Sequence, residues 1–157
     1  MKKHGPYLVL IAVLIFLDQL TKFVIGRTLD LYENIQVIPG FAGLTHVQNK
    51  GAIFGIFSQS GSPVFRTLLL AASFLALALI VYYYLKASAV DRALKIALSL
   101  ILAGALGNQL DRVIRGYVID FLDVYIKNWH WPTFNVADSC ISIGAVLLIF
   151  VFFFKKD

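Results

Sequence analysis

Asp120 and Asp138 are the residues best placed to do chemistry. Asp120 lies just past the third of four apolar stretches, and Asp138 lies at the start of the fourth. One short connection joins those stretches, so as antiparallel neighbours they would bring both carboxyls to a similar depth. Two carboxyls a few ångströms apart do not both ionise readily, and such a pair shares a proton. The ionised member can take a proton from water as the water attacks a carbonyl. The protonated member can polarise that carbonyl and then protonate the departing amine. This chemistry suits peptide hydrolysis. The competing reading makes each aspartate a helix cap or an arginine partner, and Asp138 at a helix start suits a cap.

Other polar residues are spaced to support such a pair. Asp18 and Lys22 are four apart, acid first, and can neutralise each other on one helix face. Gln19 and Thr21 can add hydrogen bonds between helices. The third stretch ends Gly104-Ala105-Leu106-Gly107-Asn108-Gln109-Leu110-Asp111-Arg112, where Gly104 and Gly107 permit close helix approach. Asn108 and Arg112 share a face. An arginine there can steady a carboxylate or simply reach the membrane surface. Asn49 and Asn135 adjoin turns and can hold either their own backbone or an extended peptide. His4, His46 and His130 have no metal-ligand spacing and receive no role. Cys140, the single cysteine, sits in an apolar run and excludes an internal disulfide.

The elements that must position these groups belong in a membrane. Of the 157 residues, 59% are hydrophobic and 15% charged, and the mean hydropathy is +0.79. A soluble domain carries roughly 25% charged residues. Charge-free stretches run over 4–17, 67–85, 96–110 and 139–154. Only the second reaches the length of about 18 apolar residues that a span needs; the others must include polar or charged ends. Helices are therefore expected at about 6–25, 65–85, 95–114 and 136–154. No small-x-small cleavage site follows the first, which reads as a retained span. Within 26–64, Ile35–Ile38 and Leu44–Val47 have strand character around the turn signal Pro39-Gly40. Gly51 to Phe57 reads as an interfacial segment. The 115–135 connection carries Trp129, His130 and Trp131, aromatics suited to the headgroup level.

Four spans put both termini on one side. Lys2, Lys3, Lys86, Arg92, Lys95, Lys155 and Lys156 crowd the short segments of that side, which marks it as cytoplasmic. The net charge of +5 thus reads as topology, with no Lys/Arg block long enough to follow a nucleic acid.

Five segments, in order along nearly the whole chain, resemble the lipoprotein signal peptidases (signal peptidase II), the intramembrane aspartyl proteases of bacteria. They are Asp18-Gln19-Leu20-Thr21-Lys22, Asn49-Lys50-Gly51-Ala52-Ile53-Phe54-Gly55, Gly104 to Arg112, Val118-Ile119-Asp120-Phe121 and Phe134-Asn135-Val136-Ala137-Asp138-Ser139. The resemblance implies that Asp120 and Asp138 are the catalytic dyad. It implies that Asp18, Lys22, Asn49, Gly51, Gly104, Asn108, Asp111, Arg112, Asn135 and Ala137 support the site or the substrate. Ala103 stands where many members have glycine. The expected fold is an all-α membrane protein: a four-transmembrane-helix bundle with a small extracytoplasmic β-cradle and an interfacial helix. The whole of 1–157 would be one peptidase domain, functional as a monomer. It would sit in the bacterial cytoplasmic (inner) membrane among membrane lipids, with its site near the outer face.

The substrate implied is a prolipoprotein whose cysteine already carries diacylglycerol, cleaved just before that cysteine. No metal or organic cofactor is implied. The alternative from another class is a small proton-coupled transporter or channel subunit, because intramembrane acids also mark proton paths. Against it, the acids gather toward one face and 67–85 holds no charge. Residues 49–58 are expected to form part of a lid.

Overall fold

The computed structural model describes residues 4–50, 63–88 and 91–154. The order is α1 (Gly5–Thr28), β1 (Asn34–Ile38), β2 (Ala42–Asn49), α2 (Pro63–Lys86), α3 (Arg92–Ile114), β3 (Val118–Ile126), β4 (Trp129–His130) and α4 (Val136–Phe154). Among the described residues, α1, α3 and α4 are long and apolar enough to cross a membrane. At about 1.5 Å per residue they match a hydrocarbon core of about 30 Å. The described apolar part of α2 is shorter, Leu70–Lys86. The interfacial segment and lid expected from Gly51 onward lie outside the described residues, as does Gly51 itself.

The residues form two compact units. The first comprises Met1–Asp18, Ser73–Gln109 and Val136–Asp157, and the second comprises Gln19–Ala72 and Leu110–Asn135.

The first unit is helical. Its core gathers Ile11, Tyr84, Ala87, Leu98, Leu102 and Ala103. Large side chains such as Phe16, Val146, Ile149 and Phe153 point outward. That inversion of the soluble pattern is what a lipid solvent allows. Small residues set the helix contacts. A β-carbon on Gly104 would overlap the carbonyl oxygen of Ala137, and one on Gly144 would stand 2.8 Å from the carbonyl oxygen of Ala97. Ser73 Oγ donates to Gln109 Oε1 at 2.9 Å, a polar link between α2 and α3. Lys95, counted above among loop cations, is instead fully buried in the first turn of α3. Its ammonium donates to the carbonyls of Tyr84 and Ala87 and lies 3.7 Å from the centroid of the Tyr84 ring. It therefore takes up carbonyls that the end of α2 leaves without helical donors.

The second unit holds an antiparallel sheet in the order β1-β2-β3-β4. The expected hairpin is present, with Gly40 in the left-handed region at φ +76°. The other two strands were not foreseen: β3 and β4 fall within what reads from sequence as a connection. Val118, Ile119, Phe121 and Tyr125 of β3 are buried with Ile25 and Leu29 from the end of α1. Asp120 therefore sits on a buried strand, opposite Val47 of β2.

Gly104→Ala is expected to cost about 1–3 kcal/mol by overpacking against rigid backbone. Gly5→Ala, with nothing within 4 Å of the new methyl, should cost almost nothing. Thermal unfolding in detergent compares them; equal midpoints would show that α4 does not seat on Gly104.

Candidate active site

Asp120 is held by amides. Its Oδ2 accepts from Asn49 Nδ2 at 3.0 Å and its Oδ1 from Asn135 Nδ2 at 2.7 Å. Asn135 also donates to the carbonyl of Ile119 at 3.3 Å. Local folding explains the convergence. Asn49 ends β2 directly across the ladder from Val118, two residues before Asp120. Phe134, whose backbone pairs with Leu122, brings Asn135 back to β3. All three side chains are buried. One donor on each oxygen fixes the plane of the carboxyl group, and buried polar groups of this kind must be satisfied in place.

Asp138 lies in the other unit, in the first turn of α4, and its Oδ1 accepts from Asn108 Nδ2 at 2.7 Å. Asn108 thus does act toward a carboxylate. The cap on the second residue of α4 comes from elsewhere: Asp18 Oδ1 accepts the backbone N–H of Ala137 at 2.9 Å. Gly107 leaves room for it, since a β-carbon there would stand 2.6 Å from Asp18 Oδ2. Gly104, Gly107, Asp18 and Ala137 therefore form one close-packed cluster beside Asp138.

The cations collect on a third acid. Lys22 Nζ lies 2.8 Å from Asp111 Oδ2, both fully buried. Arg115 pairs with Asp111 Oδ1, to which Gln19 also donates at 3.2 Å. Arg115 in turn donates to Gln19 Oε1 at 3.1 Å. The sequence reading offered Lys22 the acid one turn earlier, did not pair it with Asp111, and gave Arg115 no part in the site. The signal was present: Asp111 and Arg115 are four apart with the acid first. Arg112 is half-buried in the last turn of α3. His130, left without a role, has its Nδ1 2.8 Å from Asp123 Oδ1, while Asn34 Nδ2 donates to Asp123 Oδ2 at 2.9 Å.

Two amide-held carboxyls, one on a strand and one on a helix start, can each exchange protons with a substrate or water. Asp111, by contrast, holds two cations, Lys22 and Arg115.

Lys22→Met would leave Asp111 short of a buried cation and is expected to destabilise the fold by about 3–5 kcal/mol. Adding Asp111→Leu should recover much of that loss, because Arg115 is partly exposed and can turn to water. Denaturation of the single and double variants checks this. A double variant less stable than Lys22→Met would refute the pairing as the main role of Lys22.

Known proteins share this architecture. Two solved bacterial membrane enzymes superpose with TM-scores of 0.84 and 0.82, at 31% and 34% identity. The alignments cover 97% and 98% of this chain and 95% and 93% of theirs. A lipoprotein signal peptidase from Desulforapulum autotrophicum is 43% identical over 92% of this chain and 89% of its own. One from Geobacter metallireducens is 46% identical over 87% and 83%. The model of the family described as signal peptidase (SPase) II matches residues 10–154, a stretch that holds every acid and amide of the candidate site, and the chain belongs to that family.

Proposed function

We propose that the chain is an intramembrane aspartyl endopeptidase that removes signal peptides from prolipoproteins, cutting just before a cysteine that carries diacylglycerol. Asp120 and Asp138 act as the dyad on one water. One carboxylate takes a proton from the water as its oxygen attacks the scissile carbonyl. The other, protonated, donates toward the carbonyl oxygen, and the amine leaves with a proton returned from the pair. Asn49, Asn108 and Asn135 hold the two carboxyls in place, and Asp18, Gly104 and Ala137 fix the start of α4.

The observation that carries the reading is the bond from Asn135 to Asp120. Asn135 precedes Asp138 by three residues, a length of chain that reaches about 11 Å at most. The bond thus ties Asp120 to the short stretch of chain that leads into the first turn of α4, where Asp138 stands. The named relatives are lipoprotein signal peptidases, and nothing in them favours a proton-coupled transporter.

In this reading four helices span the bacterial inner membrane with both termini cytoplasmic, on the density of lysine and arginine in the short segments. The dyad faces the outer side, the sheet forms the cradle over it, Arg112 and Gly51 complete the substrate site, and one copy suffices.

Purified protein given a diacylglyceryl-modified prolipoprotein should release the signal peptide, seen as a gel shift. Asp120→Asn and Asp138→Asn should each lower the rate by about 10²–10⁴-fold while unfolding like the parent. A well-folded variant that cleaves at the parental rate would break the dyad.

A further inference from the structure

A second feature of the sheet unit is not used by the dyad. Lys22, Arg27, Arg115, His46, Gln48 and Tyr117 line a cavity of about 280 Å³, and no carboxylate is among its lining residues. At roughly 30 Å³ per water, that volume takes a tetrahedral oxyanion with water to spare. Lys22 and Arg115 both pair with Asp111 at its wall, where Lys22 is fully buried and Arg115 is partly exposed. Arg27 is exposed, and its guanidinium lies 5.4 Å from the centroid of the Phe23 ring. His46 is 7% exposed. Its Nδ1 lies 3.0 Å from the carbonyl oxygen of Leu29 and donates to it, which leaves Nε2 as an acceptor with no hydrogen-bond partner among the described residues. A hydroxyl of a ligand, such as that of a glycerol headgroup or a protonated phosphate, can satisfy such an acceptor, whereas a charged oxygen cannot.

We infer that this cavity is a binding site for a phosphate-class oxyanion, distinct from the peptidase centre. Arg27 and Arg115 on the lining of one cavity suit the oxygens of a phosphate, since a guanidinium can make paired bonds. Two sources supply that chemistry: the headgroup of an anionic phospholipid, and free phosphate. The setting favours the lipid. The cavity adjoins the last turns of α1, and Leu20, Phe23 and Val24 are exposed and apolar there, a surface on which acyl chains can lie. A zwitterionic headgroup fits less well, because its own cation meets Arg27 and Arg115.

The test uses the full chain purified in detergent and native mass spectrometry with phosphatidylglycerol or phosphatidylcholine. A parallel arm reads the unfolding midpoint in inorganic phosphate against chloride at equal ionic strength. The parent should retain one phosphatidylglycerol about tenfold better than phosphatidylcholine. Arg27→Gln removes an exposed cation and Gln48→Glu sets a carboxylate in the wall; each should weaken retention about tenfold. Arg27→Lys should keep most of it. Arg92→Gln, which makes the same change in net charge in the other unit, should bind like the parent. Stabilisation by inorganic phosphate that Gln48→Glu abolishes, without lipid preference, would uphold the site and name free phosphate as its ligand. Binding of neither ligand by the parent would overturn the proposal. So would parental retention in both Arg27→Gln and Gln48→Glu, or an equal loss in Arg92→Gln.

Discussion

A helix that begins in the interior of a protein has no water to take up its first amide protons. The start of α4 meets that constraint with a carboxylate borrowed from α1: Asp18 accepts the N–H of Ala137. Much else follows from it. Gly107 must lack a side chain so that the carboxylate fits, and Gly104 must lack one so that the Ala137 carbonyl fits. With its start fixed this closely, α4 presents Asp138 to Asn108 from a rigid first turn rather than from a loop.

Charge is sorted with equal economy. Amides surround Asp120 and one reaches Asp138, while Lys22 and Arg115 are spent on Asp111. An amide orients a carboxyl group without placing a full positive charge beside it. In the proposed dyad, a carboxyl that carries a proton through a cycle gains from being oriented in this way. Asp111 takes the opposite part: it is the fixed anion that lets a buried lysine stand at the end of α1.

Much of this was legible from residue order. The helix bounds follow from where charge stops, and the β1–β2 hairpin follows from Pro39-Gly40 between two β-branched runs. The polar residues of the site were visible because a carboxylate or amide in an apolar chain needs a reason to be there. The strands β3 and β4 were not legible. Val118 to Ile126 carries Asp120 and Asp123, and charges in an apolar run read as the edge of a span until their partners, Asn49, Asn135, Asn34 and His130, are seen. Those partners lie 7 to 89 residues away. Spacing rules see neighbours within a helical turn, so they offered Lys22 the nearby Asp18 and could not offer Asp111. Lys95 was misplaced for a related reason: composition counts a charge and is blind to what covers it.

Lys95 finds its acceptors only eight and eleven residues back along the chain. The helical hairpin formed by the end of α2 and the start of α3 therefore carries the means to neutralise its own most costly group. A segment so equipped can leave water for lipid as one piece, with no need for α1 or α4 to be in place first.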